Sequence, residues 1–358
     1  MTQTTIGPPT ASVLQQAVQG AADRLVELGA AGVQFRVARG EEAFVVTSGI
    51  AELGSDRPVP EDGRFRISCI TKPFVAVVVL QLVAEGKIEL DRTVESYLPG
   101  LIPYGERITI RHLMQHTSGL YNYMDSFQKP GDRFLKDRNR HFEAEDLIAI
   151  AAAKPLEFEP GTKFAYCNTN YFIIGLLIKK VTGRGHREEI TDRVLKPLQL
   201  EETYLPGDDP KIPGPHARGY MQIGGKPVDV TEMNPSEAGC AGEMISTTAD
   251  LDRFFTALFS GKLLEEPQFK EMTDPLPPEM IENLPMGIGY GLGIMKLEND
   301  ADLDLWGHGA GIPGYATFAA TTRDLTSRVQ LSFTLGDKDF GHDAEQAVIR
   351  GVNTALCS

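Results

Sequence analysis

Apolar residues along this chain recur at helical spacing in some segments and alternate with polar residues in others, and both patterns predict elements. Helices are predicted for four segments: Ser12–Leu28, Phe74–Val83, Tyr171–Val181 and Ala344–Ala355. Strands are predicted for five runs near the two ends of the chain: Gly32–Val37, Ala43–Thr47, Gly289–Met295, Tyr315–Thr321 and Arg328–Thr334. The Pro- and Gly-rich stretch Leu205–Gly219 predicts a loop. The pattern therefore favours one antiparallel sheet with helices inserted between its strands.

The segment Phe65–Lys72, FRISCITK, places a cysteine and a lysine three residues apart where a helix is predicted to begin. Residues at this spacing share one face of a helix, so the sulfur of Cys69 and the amine of Lys72 are expected to meet. A cysteine attacks as its thiolate, and both a helix N-terminus and a nearby ammonium favour that anion. Pro73 fits the first turn of such a helix. By itself the motif is more typical of an ordinary buried cysteine than of a nucleophile.

Seven segments, taken in order, carry the motifs of a known family. They are Phe65–Lys72, Leu80–Lys87, Ile108–Leu120, Tyr166–Tyr171, Ser246–Leu251, Tyr290–Gly293 and Gly307–Gly311. The chain resembles the penicillin-binding and class C β-lactamase-like family, with the closest likeness to its Streptomyces D-alanyl-D-alanine carboxypeptidase/transpeptidase branch. The likeness runs from about residue 30 to about residue 335.

The length of 358 residues suggests two domains, and the resemblance implies that these are two lobes of one catalytic domain spanning 1–358. It implies an α/β (α+β) fold in which an antiparallel β-sheet is flanked by helices and a mainly helical lobe is inserted. The α/β lobe is expected at about 10–73 and 236–358, and the mainly helical lobe at about 74–235.

In that family a serine, a lysine, a Tyr-x-Asn and a Lys- or His-x-Gly triplet line one cleft. The resemblance implies that Cys69 takes the place of the serine and Lys72 that of the lysine. Tyr166 and Asn168 match Tyr-x-Asn, and His308 heads the triplet. Lys72 and Tyr166 are then expected to move the proton between nucleophile and leaving group, provided that their pKa values are lowered.

The same resemblance implies that Asn168 holds a substrate amide and that His308 orients the tyrosine. Backbone N–H groups of Cys69 and Gly311 would form the oxyanion hole, in which fixed donors stabilise the charge on the carbonyl oxygen. The run His116–Gly119 has catalytic residue types, but its place in the family implies a structural role.

The chain departs from the family pattern where a substrate carboxylate would bind. Gly309 stands where the carboxypeptidase branch usually has a threonine, and Lys296 follows Tyr290–Gly293 where an arginine is expected. Lysine lacks the two-pronged geometry of the guanidinium group. A peptide ending in a free D-alanine carboxylate is therefore a poor candidate substrate, although both positions remain candidate substrate contacts.

Composition and the first residues limit which binding partners and which cell compartment are compatible with the sequence. Hydrophobic content of 42% and charged content of 23% are typical of a globular protein. A net charge of −14 argues against nucleic acid or an anionic membrane as a partner. The first residues lack the basic and apolar regions of a secretory signal and no run is long enough to span a membrane, so a cytoplasmic location is expected. Four cysteines without CxxC spacing predict no metal site, disulfide framework or other cofactor.

Three functions are compatible with the sequence. A thioester is attacked by amines, relative to water, more readily than an oxygen ester. The first hypothesis is therefore an acyltransferase that passes an acyl group from an ester or amide donor through Cys69 to an amine, in natural-product (antibiotic) biosynthesis. The second is a hydrolase, either an esterase or a D-amino-acid peptidase or amidase. The third is a binding protein without catalysis, or a chain whose nucleophile was replaced to trap a complex. The donor, the acceptor, the oligomeric state and the choice of Lys72 or Tyr166 as main base stay open.

Overall fold

A computed structural model describes residues 11–127, 132–282, 284, 287–336 and 342–357. Its strands are β1 Ala30–Arg39, β2 Glu42–Gly49, β3 Phe65–Arg66, β4 Tyr220–Ile223, β5 Lys226–Asp229, β6 Ile245–Ser246, β7 Gly287–Tyr290, β8 Met295–Leu297, β9 Leu305–Ile312, β10 Tyr315–Thr322 and β11 Ser327–Leu335. Its helices are α1 Ala11–Glu27, α2 Thr71–Ala84, α3 Val94–Tyr97, α4 Ile110–Met114, α5 Asp132–Asp137, α6 Ala144–Ala152, α7 Thr169–Thr182, α8 His186–Ile190, α9 Lys196–Leu198, α10 Gly239–Gly242, α11 Thr248–Phe259, α12 Glu266–Met272 and α13 His342–Cys357.

A seven-stranded sheet unites the two ends of the chain. Its strand order is β2-β1-β11-β10-β9-β8-β7, and the printed pairings are all antiparallel. β1 pairs with β11 in a register that sets Phe35 opposite Leu331. The expected antiparallel sheet flanked by helices is confirmed.

Two groups of buried side chains hold the molecule together. The first joins α1 and α13 to the sheet through residues such as Val18, Phe35 and Leu331. The second surrounds α2, whose buried residues occupy all sides of the helix. A helix that is apolar all round belongs in a core. Phe74 of α2 stacks on Phe254 of α11 with ring centroids 3.6 Å apart. The helix that follows Cys69 is thus held rigidly.

The predicted helices are observed with each end within three residues of the predicted one, as are four of the five predicted strands. The fifth, Gly289–Met295, is wrong as a single strand, because it contains the end of β7, a turn and the start of β8. Gly293 in this turn has φ of +74°, and a Cβ there would meet the Cβ of Ala76 at 2.7 Å. The boundaries of the two predicted lobes stay a prediction. Among the helices of the described ranges, none has both the length and the apolar character needed to cross a membrane.

Candidate active site

The thiol of Cys69 is presented by a short strand, a turn and a helix. Cys69 lies in the 3₁₀ turn Ser68–Ile70, between β3 and α2. β3 pairs with β6, which fixes the direction in which the chain enters the turn. Ser68 has φ of +46°, a left-handed conformation that L-residues rarely adopt. The half-buried thiol therefore lies just before the N-terminus of α2, where the helix dipole favours an anion.

The amine of Lys72 lies in the first turn of the same helix and is fully buried. Its Nζ donates to Oδ1 of Asn168 and to the carbonyl oxygen of Ala241, both at 2.8 Å. Both partners are neutral acceptors. Burial lowers the pKa of Lys72, and the negative charge of Cys69 offsets only part of that shift.

The thiol and the amine influence each other directly. Burial alone would raise the pKa of Cys69, but the charge of Lys72 and hydrogen bonding from Tyr166, Ser68 and Lys72 together lower it. The thiol is therefore easier to deprotonate than that of an ordinary cysteine, and the amine beside it is easier to deprotonate than that of an ordinary lysine. This arrangement suits a cysteine nucleophile with a lysine beside it as base.

Tyr166 stands over the lysine and keeps its own proton. The Nζ of Lys72 lies 4.8 Å from the centre of the Tyr166 ring. The phenol oxygen is buried and makes no hydrogen bond of standard geometry within the described residues. Burial, and then the negative charge of Cys69, raises the pKa of Tyr166 well above its usual value. The lowered pKa expected for Lys72 is found, but the one expected for Tyr166 is not. The phenol therefore stays protonated, whereas Lys72 is suited to accept a proton.

A chain of hydrogen bonds runs behind Tyr166 from His116 to His308. Nδ1 of His116 accepts from the backbone N–H of Cys167 at 3.1 Å, so its other nitrogen carries the proton and donates to the hydroxyl of Tyr290 at 3.2 Å. That hydroxyl then donates to Nε2 of His308 at 3.4 Å. Nδ1 of His308 donates to the carbonyl of Gly309 at 2.6 Å. All four hydrogen bonds are thus consistent with a single placement of the protons on the two histidines and on Tyr290.

Both histidines of this chain are neutral. Burial, aided by the charge of Lys72, lowers the pKa of His308 to about 3 and that of His116 well below its usual value. The His116 ring lies against Tyr166 with centroids 4.2 Å apart, whereas His308 makes only an edge contact with that ring at 6.2 Å. His116 thus supports Tyr166 more closely than His308 does. Sequence reasoning did not select Tyr290 for the site, although the Tyr290–Gly293 motif marked its position.

The side-chain amide of Asn168 has a fixed orientation. Because Oδ1 accepts from Lys72, the Nδ2 group must point away from it. Nδ2 donates to Sδ of Met124 at 3.2 Å, and Met124 is 45% exposed. A thioether is a weak acceptor. Asn168 therefore holds a hydrogen-bond donor directed away from Lys72 and beside the exposed side chain of Met124.

Strand β9 brings backbone groups to the nucleophile turn. β8 pairs with β9 only over Leu305–Gly307, so the edge from His308 onward is not covered by β8. The hydroxyl of Ser68 donates to the carbonyl oxygen of Gly311 at 2.8 Å. The N–H and C=O of a strand residue point to the same side, so the N–H of Gly311 also faces this turn, as does that of Gly309. The oxyanion hole expected from the N–H groups of Gly311 and Cys69 stays a prediction.

Lys296 is the one proposed contact that the structure does not bring into this cluster. It lies on β8 opposite Trp306, and its Nζ is 3.5 Å from Oδ1 of Asp304. The charge is engaged beside Trp306, at the opposite end of β9 from Gly311. Its role as a substrate contact stays a prediction.

The fold and the site together present a Cys-x-x-Lys arrangement at the start of a buried helix. The chain belongs to the beta-lactamase family, whose model matches residues 13–348. Fold and family together place the chain in the class of hydrolases and acyl-transfer enzymes.

Three relatives show the breadth of this similarity. A D-stereospecific amidohydrolase from Streptomyces sp. is 36% identical, with a TM-score of 0.85 over 93% of this chain and 98% of its own. A D-amino acid amidase from Ochrobactrum anthropi SV3 is 28% identical, with a TM-score of 0.84 over 96% of this chain and 97% of its own. Penicillin-binding protein 4* of Bacillus subtilis is 27% identical over 322 residues, which are 86% of this chain and 68% of that protein. The matches to the curated relatives cover between 38% and 68% of the length of those proteins.

Proposed function

We propose that this chain is an acyltransferase that forms a thioester on Cys69 from an amide or ester donor and passes the acyl group to an amine. The observation that carries the proposal is the pairing of the half-buried thiol of Cys69 with the buried amine of Lys72, in which the pKa of each group is lowered. The relatives named for D-stereospecific amides support donors with a D-configured acyl group.

In the first half of the reaction Lys72 takes the thiol proton and the sulfur of Cys69 attacks the carbonyl carbon. The resulting oxyanion is held by the N–H groups of Cys69 and Gly311. The bond to the leaving group breaks as that group gains a proton from the Lys72 ammonium or from the Tyr166 phenol, which Lys72 then reprotonates. A thioester and a free amine or alcohol remain.

In the second half an incoming amine attacks the thioester carbonyl. Lys72 accepts the proton of the amine, the tetrahedral intermediate collapses to an amide, and the sulfur leaves as a thiolate that regains its proton from Lys72. The buried pair thus returns to its starting state. Cysteine favours this outcome over hydrolysis because thioesters react well with amines.

The test is the intact mass of the protein after exposure to D- and L-aminoacyl esters and amides, with and without an added amine. We expect an adduct in the wild type that Cys69→Ala abolishes and that amine discharges faster than water does. Cys167→Ala is the matched control, since burial raises the pKa of Cys167 to about 11 and keeps it a thiol. An adduct that survives Cys69→Ala, or none with any donor, contradicts the proposal.

A hydrolase is the second candidate, favoured by relatives named amidohydrolase and amidase. The same site would then pass the acyl group to water. Discharge of the adduct at a rate that does not depend on amine concentration would support the hydrolase over the transferase. The Streptomyces carboxypeptidase/transpeptidase branch, the place in antibiotic biosynthesis and the cytoplasmic location stay predictions.

A further inference from the structure

The side chain of Met124 is an exposed apolar group that touches the side-chain amide of Asn168. Its Sδ lies 3.2 Å from Nδ2 of Asn168, and the residue is 45% exposed. Asn168 in turn bonds Lys72, which lies beside the nucleophile. Met124 is therefore two contacts away from the lysine that activates Cys69.

The backbone beneath Met124 is fixed to the start of α7. The N–H of Tyr123 donates to Oγ1 of Thr169 at 3.1 Å, and that hydroxyl donates to the carbonyl of Tyr121 at 2.9 Å. The N–H of Asn168 donates to Oδ1 of Asn122 at 3.2 Å. The main chain is held at two points and the side chain of Asn122 at a third, so we expect Met124 to be displaced by rotation of its own unbranched side chain.

The hydrogen bond between Asn168 and Met124 is one that a donor carbonyl would improve. A carbonyl oxygen accepts an amide N–H more strongly than a thioether does. An acyl donor that offers a carbonyl next to its scissile bond would take over Nδ2 of Asn168. The displaced thioether then lies against the side chain of that donor. A donor with an apolar side chain gains binding free energy from this contact, whereas a donor with a small side chain gains none.

We infer that Met124 is a specificity residue, which releases the Asn168 amide to an incoming donor and selects donors with an apolar acyl side chain. The inference rests on the proposed function in one respect, namely that the cleft binds acyl donors. A bound apolar group is contacted whether Cys69 is acylated or alkylated, and this allows the two ideas to be tested separately.

The test compares alkylation of Cys69 by chloroacetamide and by N-benzyl-2-chloroacetamide, followed by intact mass in wild type, Met124→Ala and Met124→Leu. Met124→Ala is expected to lower the rate with the benzyl probe roughly tenfold while the rate with chloroacetamide stays the same. Met124→Leu keeps the apolar contact and is expected to stay within about threefold of wild type with both probes. Val13→Ala removes a similarly exposed side chain, 53% exposed on α1, and is expected to change neither rate.

An equal fall with both probes in Met124→Ala would overturn the inference, because it would show a general effect on the nucleophile. An unchanged ratio would overturn it as well. The ratio of acylation rates by hexanoyl and acetyl thioesters is then measured in the same proteins. Probe selectivity that follows Met124 without any acyl adduct would support the specificity role and count against the proposed function.

Discussion

Ser68 allows the nucleophile turn to be tested with two substitutions that differ in one respect. The residue is 4% exposed, has φ of +46°, and donates to the carbonyl of Gly311 at 2.8 Å. Both Ser68→Ala and Ser68→Gly remove the hydroxyl and the hydrogen bond, which stabilises the fold by about 1 kcal/mol. Only the alanine retains a Cβ in the left-handed region, at a cost of about 1–2 kcal/mol. Glycine loses about 0.4–1 kcal/mol through the greater freedom of the unfolded chain.

The difference between these terms predicts that Ser68→Gly is more stable than Ser68→Ala by about 0.5–1 kcal/mol, or about 2 °C in Tm for a chain of this size. Denaturant unfolding with matched m-values measures the free energy. If the alanine variant is as stable as the glycine variant, the strain assigned to Ser68 is wrong.

The hydroxyl also has a predicted catalytic consequence that both variants share. Removing an entire oxyanion-hole donor typically costs about 100-fold to 1000-fold in rate. Here the N–H of Gly311 remains, and only the tether is lost, namely the hydrogen bond from the Ser68 hydroxyl that holds Gly311 in place. We therefore expect acylation of Cys69 to slow about tenfold. The pKa of Cys69, measured from the pH dependence of alkylation, should rise because the Ser68 hydroxyl helps to lower it. Wild-type acylation in both variants would refute the role of the tether.

Three further substitutions test the polar groups around the thiol. Lys72→Met removes the charge that lowers the pKa of Cys69, so alkylation of Cys69 at pH 7 should slow at least tenfold. The stability of the protein should be kept or raised, because a buried charge is removed. An unchanged rate of alkylation would contradict the pairing of Cys69 with Lys72. Tyr166→Phe removes a buried hydroxyl without a standard hydrogen bond, so thermal stability should not fall. Acylation by amides should slow more than acylation by activated esters, which need less help from an acid, and an equal loss with both would argue against proton donation. His308 has a folded pKa of about 3, below its usual value of 6.5, so the unfolded chain binds more protons between these values. Stability should therefore fall as pH drops from about 6.5 toward 3, and His308→Gln should reduce this slope in urea titrations; equal slopes would contradict the buried neutral histidine.

Local patterns predicted the elements whose side chains face one core. The alternation in Gly32–Val37 and Arg328–Thr334 locates β1 and β11, because apolar and polar side chains take opposite faces of a strand, although both faces are buried here. The β7–β8 hairpin was missed because its turn, Gly291–Ile294, is itself apolar and glycine-rich. The turn can be located only in the folded chain, where Gly293 has a positive φ and lies in close contact with α2.

The candidate site was predictable as far as motifs name residue types. The positions of Cys69, Lys72 and Asn168 follow from such motifs, whereas pKa directions depend on burial that no local pattern records. Tyr166 shows the difference, since its hydroxyl lies in a dry environment created by segments far away in sequence. The link from His116 through Tyr290 to His308 spans 192 positions, and only the folded chain brings these groups together.

The pairing of β1 with β11 also bears on when the chemistry becomes possible during synthesis. Cys69 leaves the ribosome early, but β9, which carries Gly311, and β11, which closes the sheet on β1, come more than two hundred residues later. Long-range strand pairings form late because the intervening chain must first be ordered. During synthesis the thiol of Cys69 therefore lacks the neighbouring groups that would activate it. Acylation becomes possible only once the tertiary structure is complete.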